Sequence, residues 1–347
     1  MFADSLPDVF GNHIFQTWLN AKGTSIQLNA LEQLAYVGQR GMGAWEYEPS
    51  IHLDAPASFR ITEMTQLLTE ILAEKETLSP EFANTEGLMN LFRIGTSAGG
   101  MRPKILVARN RKTQQILPGD LLYGPHHDAL LVKLNLENDP THPKEIIEFV
   151  YANIAQALGI DMMPCELWDG QHFATHRFDR QNNRKQHVLT ASGLTGWDYQ
   201  NPEDGSYENL FKLSMALKLP WVELQQLYRR MVFNVLFNNI DDHLKNHSFL
   251  YHPETEQWHL APAYDLTFAL NPKLKFHKVS RALSIHGKRE QITRKDLLKI
   301  ANSFSIEQAE EIIDEIREGQ SLWSDLAYRH HLSPSLITTI QQQMVDL

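Results

Sequence analysis

The sequence lacks the features that would place it outside a reducing, aqueous compartment. Its one cysteine, Cys165, cannot form an internal disulfide, and sparse cysteine is typical of cytosolic proteins. The first residues contain neither the basic cluster nor the apolar stretch of a secretory leader. No apolar run approaches the roughly 20 residues of a membrane span. The net charge of −10 argues against a broad basic surface for nucleic acid. We therefore expect a cytoplasmic protein without direct membrane or DNA contact.

The 347 residues, 42% of them hydrophobic, are enough for two lobes with a substantial core. Helical spacing of apolar residues dominates the first 90 residues, and short strand-like runs follow between 105 and 135. A further hairpin is predicted from Cys165 to Arg180, and helices dominate again from about residue 187. The pattern predicts an α+β protein with an N-terminal lobe over 1–180 and a mostly helical lobe over 181–347.

A polar stretch follows the most apolar predicted helix, which runs from Trp221 to Asn238. Asp241 and Asn246 lie in this stretch, and Asp265 follows about two dozen residues later. In protein kinases an aspartate, an asparagine five residues on and a later aspartate serve as catalytic base and two magnesium ligands. A predicted hairpin over residues 249–260 would bring Asn246 and Asp265 towards one metal ion.

A loop of small residues from Ser97 to Lys104 precedes a strand-like run. Its backbone N–H groups could approach phosphate oxygens. The spacing is not that of a Walker motif, and a strand rather than a helix follows. An ordinary β-turn is the alternative interpretation of this stretch.

Lys133 lies within a strand that the pattern predicts to be buried, where a lone ammonium group is costly unless it is paired. Glu145 and Glu148 lie on the next predicted helix, and a strand lysine paired with a helix glutamate positions nucleotide phosphates in kinases. The alternative is a lysine that extends to solvent and a glutamate exposed in the first turn of its helix.

Four motifs together resemble the HipA family, whose members are bacterial serine/threonine-protein kinases that act as toxins in toxin–antitoxin pairs. The motifs occupy residues 97–104, 177–180, 239–246 and 261–265, in the order that the family has. The resemblance implies a two-lobed, protein-kinase-like α+β fold, with an antiparallel sheet in the small lobe. It implies ATP and Mg²⁺ as cofactors and transfer of the γ-phosphate to serine or threonine of a protein target. An aminoacyl-tRNA synthetase is a candidate target by the same resemblance.

The resemblance also implies roles for individual residues. Asp241 matches the catalytic base, Asn246 and Asp265 match the magnesium ligands, and Ser97, with Thr96 as the alternative, matches a serine whose autophosphorylation inactivates the kinase. A phosphate there would add about −1.5 to −2 charges to a loop that must itself bind phosphates. The implied ATP contacts are Gly99, Gly100, Met101, Arg102, Pro103, Lys104, Lys133, His176, Arg177, Phe178, His243, Leu244, Lys245, Asn246, Tyr264 and Asp265.

The chain departs from the family at its start. Full-length family members carry a β-rich segment before the region that resembles Met1–Gly11, and this sequence begins without it. Some family systems supply that segment as a separate small protein. The resemblance therefore implies two partners, a helix-turn-helix antitoxin, through which any DNA contact would occur, and a small protein that provides the missing segment.

Three other interpretations remain open at this point. The chain could be a catalytically silent module that binds nucleotide or antitoxin. It could instead phosphorylate a small molecule or a lipid head group, because acceptor choice does not follow from the catalytic residues. His243 and His247 are spaced as zinc ligands on a helix, but no glutamate follows His243 as the zinc-protease motif requires.

Overall fold

The computed structural model describes residues 2–21, 28–53, 57–72, 86–95, 102–136, 142–269 and 280–347. The chain divides into two compact units. The smaller unit comprises Phe2–Asn138 and Pro164–His187, and the larger comprises Asp139–Met163 and Val188–Leu347. Residues 139–163 thus belong with the larger unit, whereas the predicted division at residue 180 grouped them with the N-terminal lobe.

The smaller unit contains a five-stranded antiparallel sheet in the order β2-β1-β3-β5-β4. Its strands are β1 (Lys104–Asn110), β2 (Ile116–Pro118), β3 (His127–Lys133), β4 (Cys165–Trp168) and β5 (His172–His176). A short ribbon of β6 (Arg180–Gln181) and β7 (Arg184–Lys185) follows. The helical elements are the 3₁₀ turn Phe2–Ser5 and the helices Val9–Ala21, Ala30–Val37, Ile61–Leu72 and Glu86–Gly95.

The core of the smaller unit lies between these helices and the sheet. Ile105, Val107, Leu130 and Val132 alternate toward it from β1 and β3, as expected for strands with one buried face. The helices contribute aromatic side chains to the same core, and the rings of Trp18 and Phe92 stack with centroids 4.1 Å apart. Such pairs stabilise a core beyond the area that they bury.

The β4–β5 hairpin confirms the hairpin that the sequence predicts after Cys165. Its strands pair antiparallel from Cys165 opposite Thr175 to Trp168 opposite His172. Asp169 and Gly170 both have positive φ, at +51° and +69°. Asp-Gly is favoured where a tight turn requires this left-handed backbone conformation.

The larger unit is mostly helical. Its helices are Lys144–Ala157, Ala191–Thr195, Tyr207–Ala216, Trp221–Leu236, Arg294–Ser303, Ala309–Gly319, Leu322–Arg329 and Pro334–Gln343. A three-stranded sheet in the order β10-β9-β8 contains β8 (His187–Thr190), β9 (Ser248–His252) and β10 (Gln257–Leu260). The β9–β10 pair confirms the second predicted hairpin. No helix among the described ranges is long and apolar enough to cross a membrane.

The Trp221–Leu236 helix lies in the core of the larger unit and determines where the next segment begins. Its last turn is fixed by packing, since the rings of Phe233 and Phe237 stack 4.2 Å apart. Asn238 has φ +53°, a left-handed conformation that ends many helices and that asparagine tolerates better than most residues. The chain therefore leaves the helix axis at Asn238, and the predicted functional stretch begins there.

Candidate active site

The segment after Asn238 closes a short turn that joins two of the predicted functional residues. The side-chain amide of Asn246 donates to the main-chain carbonyl of Asp241 over 2.8 Å. A single 3₁₀ turn, Leu244–Asn246, lies between them. The Asp241 residue is exposed and Asn246 is half-buried. The turn thus holds Asp241 and Asn246 close to each other and leaves Asp241 at the surface.

Asp242 lies in the opposite environment from its neighbour. It is 1% exposed, and its carboxylate accepts hydrogen bonds from Arg281 (2.8 Å) and from the Tyr207 hydroxyl (2.7 Å). The main-chain N–H of Leu283 donates to its other oxygen over 3.4 Å. The sequence predicts no role for Asp242. The one indication in the sequence is the pair of successive aspartates after a buried helix, because adjacent side chains there point in different directions.

Asn239 connects this segment to the turn that carries Asp265. Its side-chain amide donates to the Asn234 side chain (2.9 Å) and to the main-chain carbonyl of Asp265 (3.3 Å). Its own carbonyl accepts from Arg281 over 2.9 Å. Asn239 is 1% exposed, so these bonds are sheltered from water. The sequence analysis did not single out Asn239.

Asp265 has φ +54°, which is uncommon for a residue with a side chain. Aspartate is among the residues that adopt this conformation with least cost, and such residues concentrate at functional sites. The strand-like approach to it is held by Ala263, whose N–H donates to the carbonyl of Asp161 over 2.7 Å. The Asp265 turn is therefore anchored both at Ala263 and, through its own carbonyl, at Asn239.

Asn246 and Asp265, the two predicted magnesium ligands, line one small cavity in the larger unit. The walls of this cavity are Arg230, Asn234, Asn239, Asp242, Asn246, His247, Ala263, Tyr264, Asp265 and Leu266. A carboxylate and an amide oxygen fit magnesium, which takes one or two protein ligands and completes its shell with water and substrate phosphates. In the described parts of the chain no three His, Cys, Asp or Glu side chains are grouped to hold a metal ion.

Two basic residues of the cavity wall have strongly shifted pKa values. Burial, followed by the positive charges of Arg230 and His243, lowers the pKa of His247 to about 3, so its ring is neutral at physiological pH. Burial also lowers the pKa of Arg230 to about 10, which leaves its guanidinium charged. His247 belongs to the pair considered as zinc ligands, and the turn between the two histidines is 3₁₀ rather than α-helical.

The predicted nucleotide contacts around Asn246 have different environments. Leu244 is fully buried. The Tyr264 hydroxyl donates to the carbonyl of Lys245 (2.7 Å) and therefore accepts from Ser248 at 2.6 Å. The Lys245 ammonium group lies 4.5 Å from the centre of the Tyr199 ring, a cation–π distance. The Tyr199 ring in turn lies 5.2 Å from the His243 ring.

In the smaller unit, β1 and β3 bring the two predicted phosphate-binding lysines together. Lys104 and Lys133 are directly opposite each other in the strand register, and each is 6% exposed. The Lys133 ammonium group lies 5.9 Å from the centre of the Phe173 ring. Directly opposed residues on antiparallel strands share a face of the sheet. The register therefore places the two lysines side by side on one face of the sheet.

The predicted ATP contacts at residues 176–178 form main-chain hydrogen bonds that the sequence did not indicate. The main-chain N–H of His176 donates to Pro164, and that of Arg177 donates to Ala129 over 2.9 Å. These two N–H groups thus donate to main-chain carbonyls of the same unit. Phe178 is half-buried.

Asp179 organises the charged residues of the same motif. Its carboxylate accepts from Arg177 (2.8 Å), Arg180 (2.7 Å) and the N–H of Gly43 (2.8 Å). Arg177 also donates to the carbonyl of Gly119 over 2.7 Å. Burial alone would raise the pKa of Asp179, but Arg177 and Arg180 outweigh it and hold that pKa well below its usual range. These side chains therefore fix two loops of the smaller unit.

The structure describes some of the remaining predicted residues and leaves others outside the described ranges. Arg102 and Pro103 directly precede β1, and the Pro103 carbonyl accepts from the N–H of Leu134 over 3.0 Å. Thr96, Ser97, Gly99, Gly100 and Met101 lie outside the described residues. Glu145 and Glu148 are 8% and 2% exposed on the Lys144–Ala157 helix, and their ion pair with Lys133 stays a prediction.

Comparison with solved structures shows that this is a kinase-like α+β fold. HipA of Shewanella oneidensis, in a structure of the HipA–HipB toxin–antitoxin system with its operator DNA, superposes with a TM-score of 0.65 at 16% identity. The superposition covers 95% of this chain and 80% of that one. Helix and antiparallel sheet are combined as the sequence predicts, which confirms the predicted fold class.

The chain belongs to the family described as the HipA-like C-terminal domain, whose model matches residues 96–323. This confirms the resemblance on which the predicted roles were based. The putative kinase Y4dM of Sinorhizobium fredii is 30% identical over 135 residues, which are 34% of this chain and 32% of that protein. The serine/threonine-protein kinase toxin HipA of S. oneidensis is 26% identical over 197 residues, 49% of this chain and 42% of that protein. The matches thus span about a third to two fifths of these relatives.

Proposed function

We propose that this protein is an ATP-dependent kinase that transfers the γ-phosphate to serine or threonine of a protein. The observation that carries the proposal is the geometry of the larger unit. Asp241 is exposed at one end of the turn that Asn246 closes, and Asn239 binds the Asp265 turn to the same segment. These hydrogen bonds hold the three residues close to one another, as a base and two oxygen ligands of one site would require. The relatives named as kinases support the assignment.

The reaction requires little covalent help from the protein, because phosphoryl transfer depends mainly on position and charge. Asp241 accepts the proton of the acceptor hydroxyl as that oxygen attacks the γ-phosphorus and the bond to the β-phosphate oxygen breaks. Asn246 and Asp265 would hold magnesium, which neutralises phosphate charge when bound. Lys104 and Lys133 would bind phosphate oxygens, since both are cations on one face of the sheet.

The loop before β1 has two proposed roles. Gly99, Gly100, Met101, Arg102 and Pro103 would contact ATP phosphates through main-chain N–H groups or positive charge, as the family resemblance implies. Ser97 is the proposed site of autophosphorylation. A phosphate on Ser97 would repel the nucleotide phosphates and so inactivate the kinase.

The proposed acceptor is a protein in which a serine or threonine hydroxyl can reach Asp241. An aminoacyl-tRNA synthetase is the candidate target that the family suggests. The proposed partner is an antitoxin, since the solved HipA of S. oneidensis is in complex with HipB and operator DNA. The net charge of −10 favours a DNA contact that is made by the antitoxin. A small protein that supplies a β-rich segment is a further proposed partner.

The test is incubation of the purified protein with γ-labelled ATP, with and without magnesium, in a cell lysate. Mass spectrometry then identifies phosphorylated residues, and extraction separates labelled protein from labelled metabolites and lipids. The proposal predicts magnesium-dependent label on serine or threonine of protein. Label in the small-molecule or lipid fraction alone would assign a different acceptor. ATP binding without any transfer would identify a silent nucleotide-binding module.

A further inference from the structure

Arg281 contacts three residues of one short segment that lies about forty residues earlier in the chain. Its guanidinium donates to the carbonyl of Asn234 (3.0 Å), to the carbonyl of Asn239 (2.9 Å) and to the carboxylate of Asp242 (2.8 Å). Arg281 is 5% exposed. One buried cation thus connects the end of the Trp221–Leu236 helix with both sides of the turn that leads to Asp241.

The same contacts reach the Asp265 turn. Asn239 accepts from Arg281 through its carbonyl and donates to the carbonyl of Asp265 through its side chain. Asn239 therefore links Arg281 to the Asp265 turn.

We propose that Arg281, paired with Asp242, is a positioning residue for phosphoryl transfer. The ion pair holds the segment that carries Asp241 and, through Asn239, the Asp265 turn. The inference rests on the proposed kinase function.

The environment of Asp242 supports positioning as its purpose. Its carboxylate is held from several sides by Arg281, the Tyr207 hydroxyl and the Leu283 N–H, and Tyr207 accepts in turn from Asn234 over 3.0 Å. A buried ion pair adds little net stability compared with apolar residues of similar size. It does fix geometry, because each of its groups can be satisfied in one arrangement only.

The experiment separates positioning from stability by means of two variants. Asp242→Asn leaves the Arg281 charge buried and unpaired, so this variant should lose much of its thermal stability. Asp242→Asn combined with Arg281→Gln removes both charges and should regain most of that stability. Asp296→Asn is the matched control, because Asp296 is a 2% exposed carboxylate in the same unit and pairs with Lys288 at 2.8 Å.

The proposal predicts that kcat of the double variant stays roughly 100-fold below wild type, the scale of a misplaced catalytic group, while KM for ATP stays within about threefold. Asp296→Asn should lose stability at unchanged kcat. Wild-type kcat in a stable double variant would overturn the proposal and leave the kinase function standing. Absence of transfer by wild type would instead remove the proposed function. Amide hydrogen exchange over residues 239–246 then tests the positioning role by itself. If exchange in the double variant is no faster than in Asp296→Asn, the positioning role is rejected.

Discussion

Asp241 and Asp242 are adjacent in the chain and have opposite environments in the fold. Asp242 is 1% exposed and lies 2.8 Å from Arg281 in an ion pair, whereas Asp241 is exposed at the start of the turn that Asn246 closes. Asn238, with φ +53°, begins the segment that carries both aspartates. Asp242 anchors this segment through its ion pair with Arg281.

Asp265→Asn should weaken magnesium-dependent ATP binding by at least roughly 10-fold, because the substitution removes a charged ligand. Asparagine tolerates the φ of +54° at this position, so the turn should persist. Titration calorimetry with ATP, with and without magnesium, measures the effect. Asp314→Asn, in an exposed ion pair with Arg294, serves as control. Equal magnesium-dependent affinity in wild type and Asp265→Asn would exclude Asp265 as a metal ligand.

Tyr207→Phe should lower the free energy of unfolding by about 1–3 kcal/mol, the cost of a buried acceptor that loses its donor. The hydroxyl lost donates to Asp242 over 2.7 Å and accepts from Asn234 over 3.0 Å. Urea denaturation measures the change. Tyr328→Phe removes a hydroxyl from a residue that is 71% exposed and should have no measurable effect. Equal losses in the two variants would argue against the Tyr207 network.

The stability of the larger unit should fall with acid because of His247. Burial lowers the pKa of His247 to about 3, below its ordinary value of 6.5, so the folded state binds fewer protons than the unfolded state between these values. Unfolding then takes up a proton, and stability decreases as pH falls from 6.5, by up to about 1.4 kcal/mol per pH unit. His247→Gln should therefore show a shallower decline of the thermal midpoint between pH 6.5 and 4. An unchanged slope would mean that His247 titrates normally in the folded state.

Asp179→Asn should destabilise the smaller unit by about 3–5 kcal/mol, since it leaves the buried guanidinium of Arg177 without its anion. Asp179 also accepts from the N–H of Gly43 over 2.8 Å, so the Gly41–Gly43 loop should lose protection. Hydrogen exchange over that loop, together with thermal unfolding, measures both effects. Asp169→Asn, in a turn that asparagine accommodates, is the control. A stable Asp179→Asn variant with a protected loop would contradict this role.

The sequence predicted the parts of the fold that depend on local pattern. The Cys165–Arg180 and 249–260 hairpins follow from strand propensity and turn residues, and the Trp221–Leu236 helix follows from apolar spacing. The spacing of Asp241, Asn246 and Asp265 predicted that a base and two ligands belong together. The family match confirms the resemblance to the HipA family, and the roles of these three residues stay predictions.

The contacts that hold the candidate site in place could not be predicted in this way. Arg281 is about forty residues from Asp242, and Tyr207 lies thirty-five residues before it in the chain. Such pairs depend on tertiary packing, for which a single sequence carries no periodic signal. For the same reason, the motif did not predict that Arg177 and Asp179 bind each other within the fold. The roles of Lys133, Glu145 and the Ser97 loop stay predictions.

The most direct measurement compares wild type with Asp241→Asn in two assays, ATP binding by calorimetry and phosphate transfer to an acceptor protein in magnesium. The Asp241 carboxylate is predicted to take a proton during transfer and to hold neither metal nor nucleotide. We therefore expect ATP affinity within about threefold of wild type and transfer reduced by roughly 10²–10⁴-fold, the usual contribution of a general base. Transfer at the wild-type rate by Asp241→Asn would contradict the account.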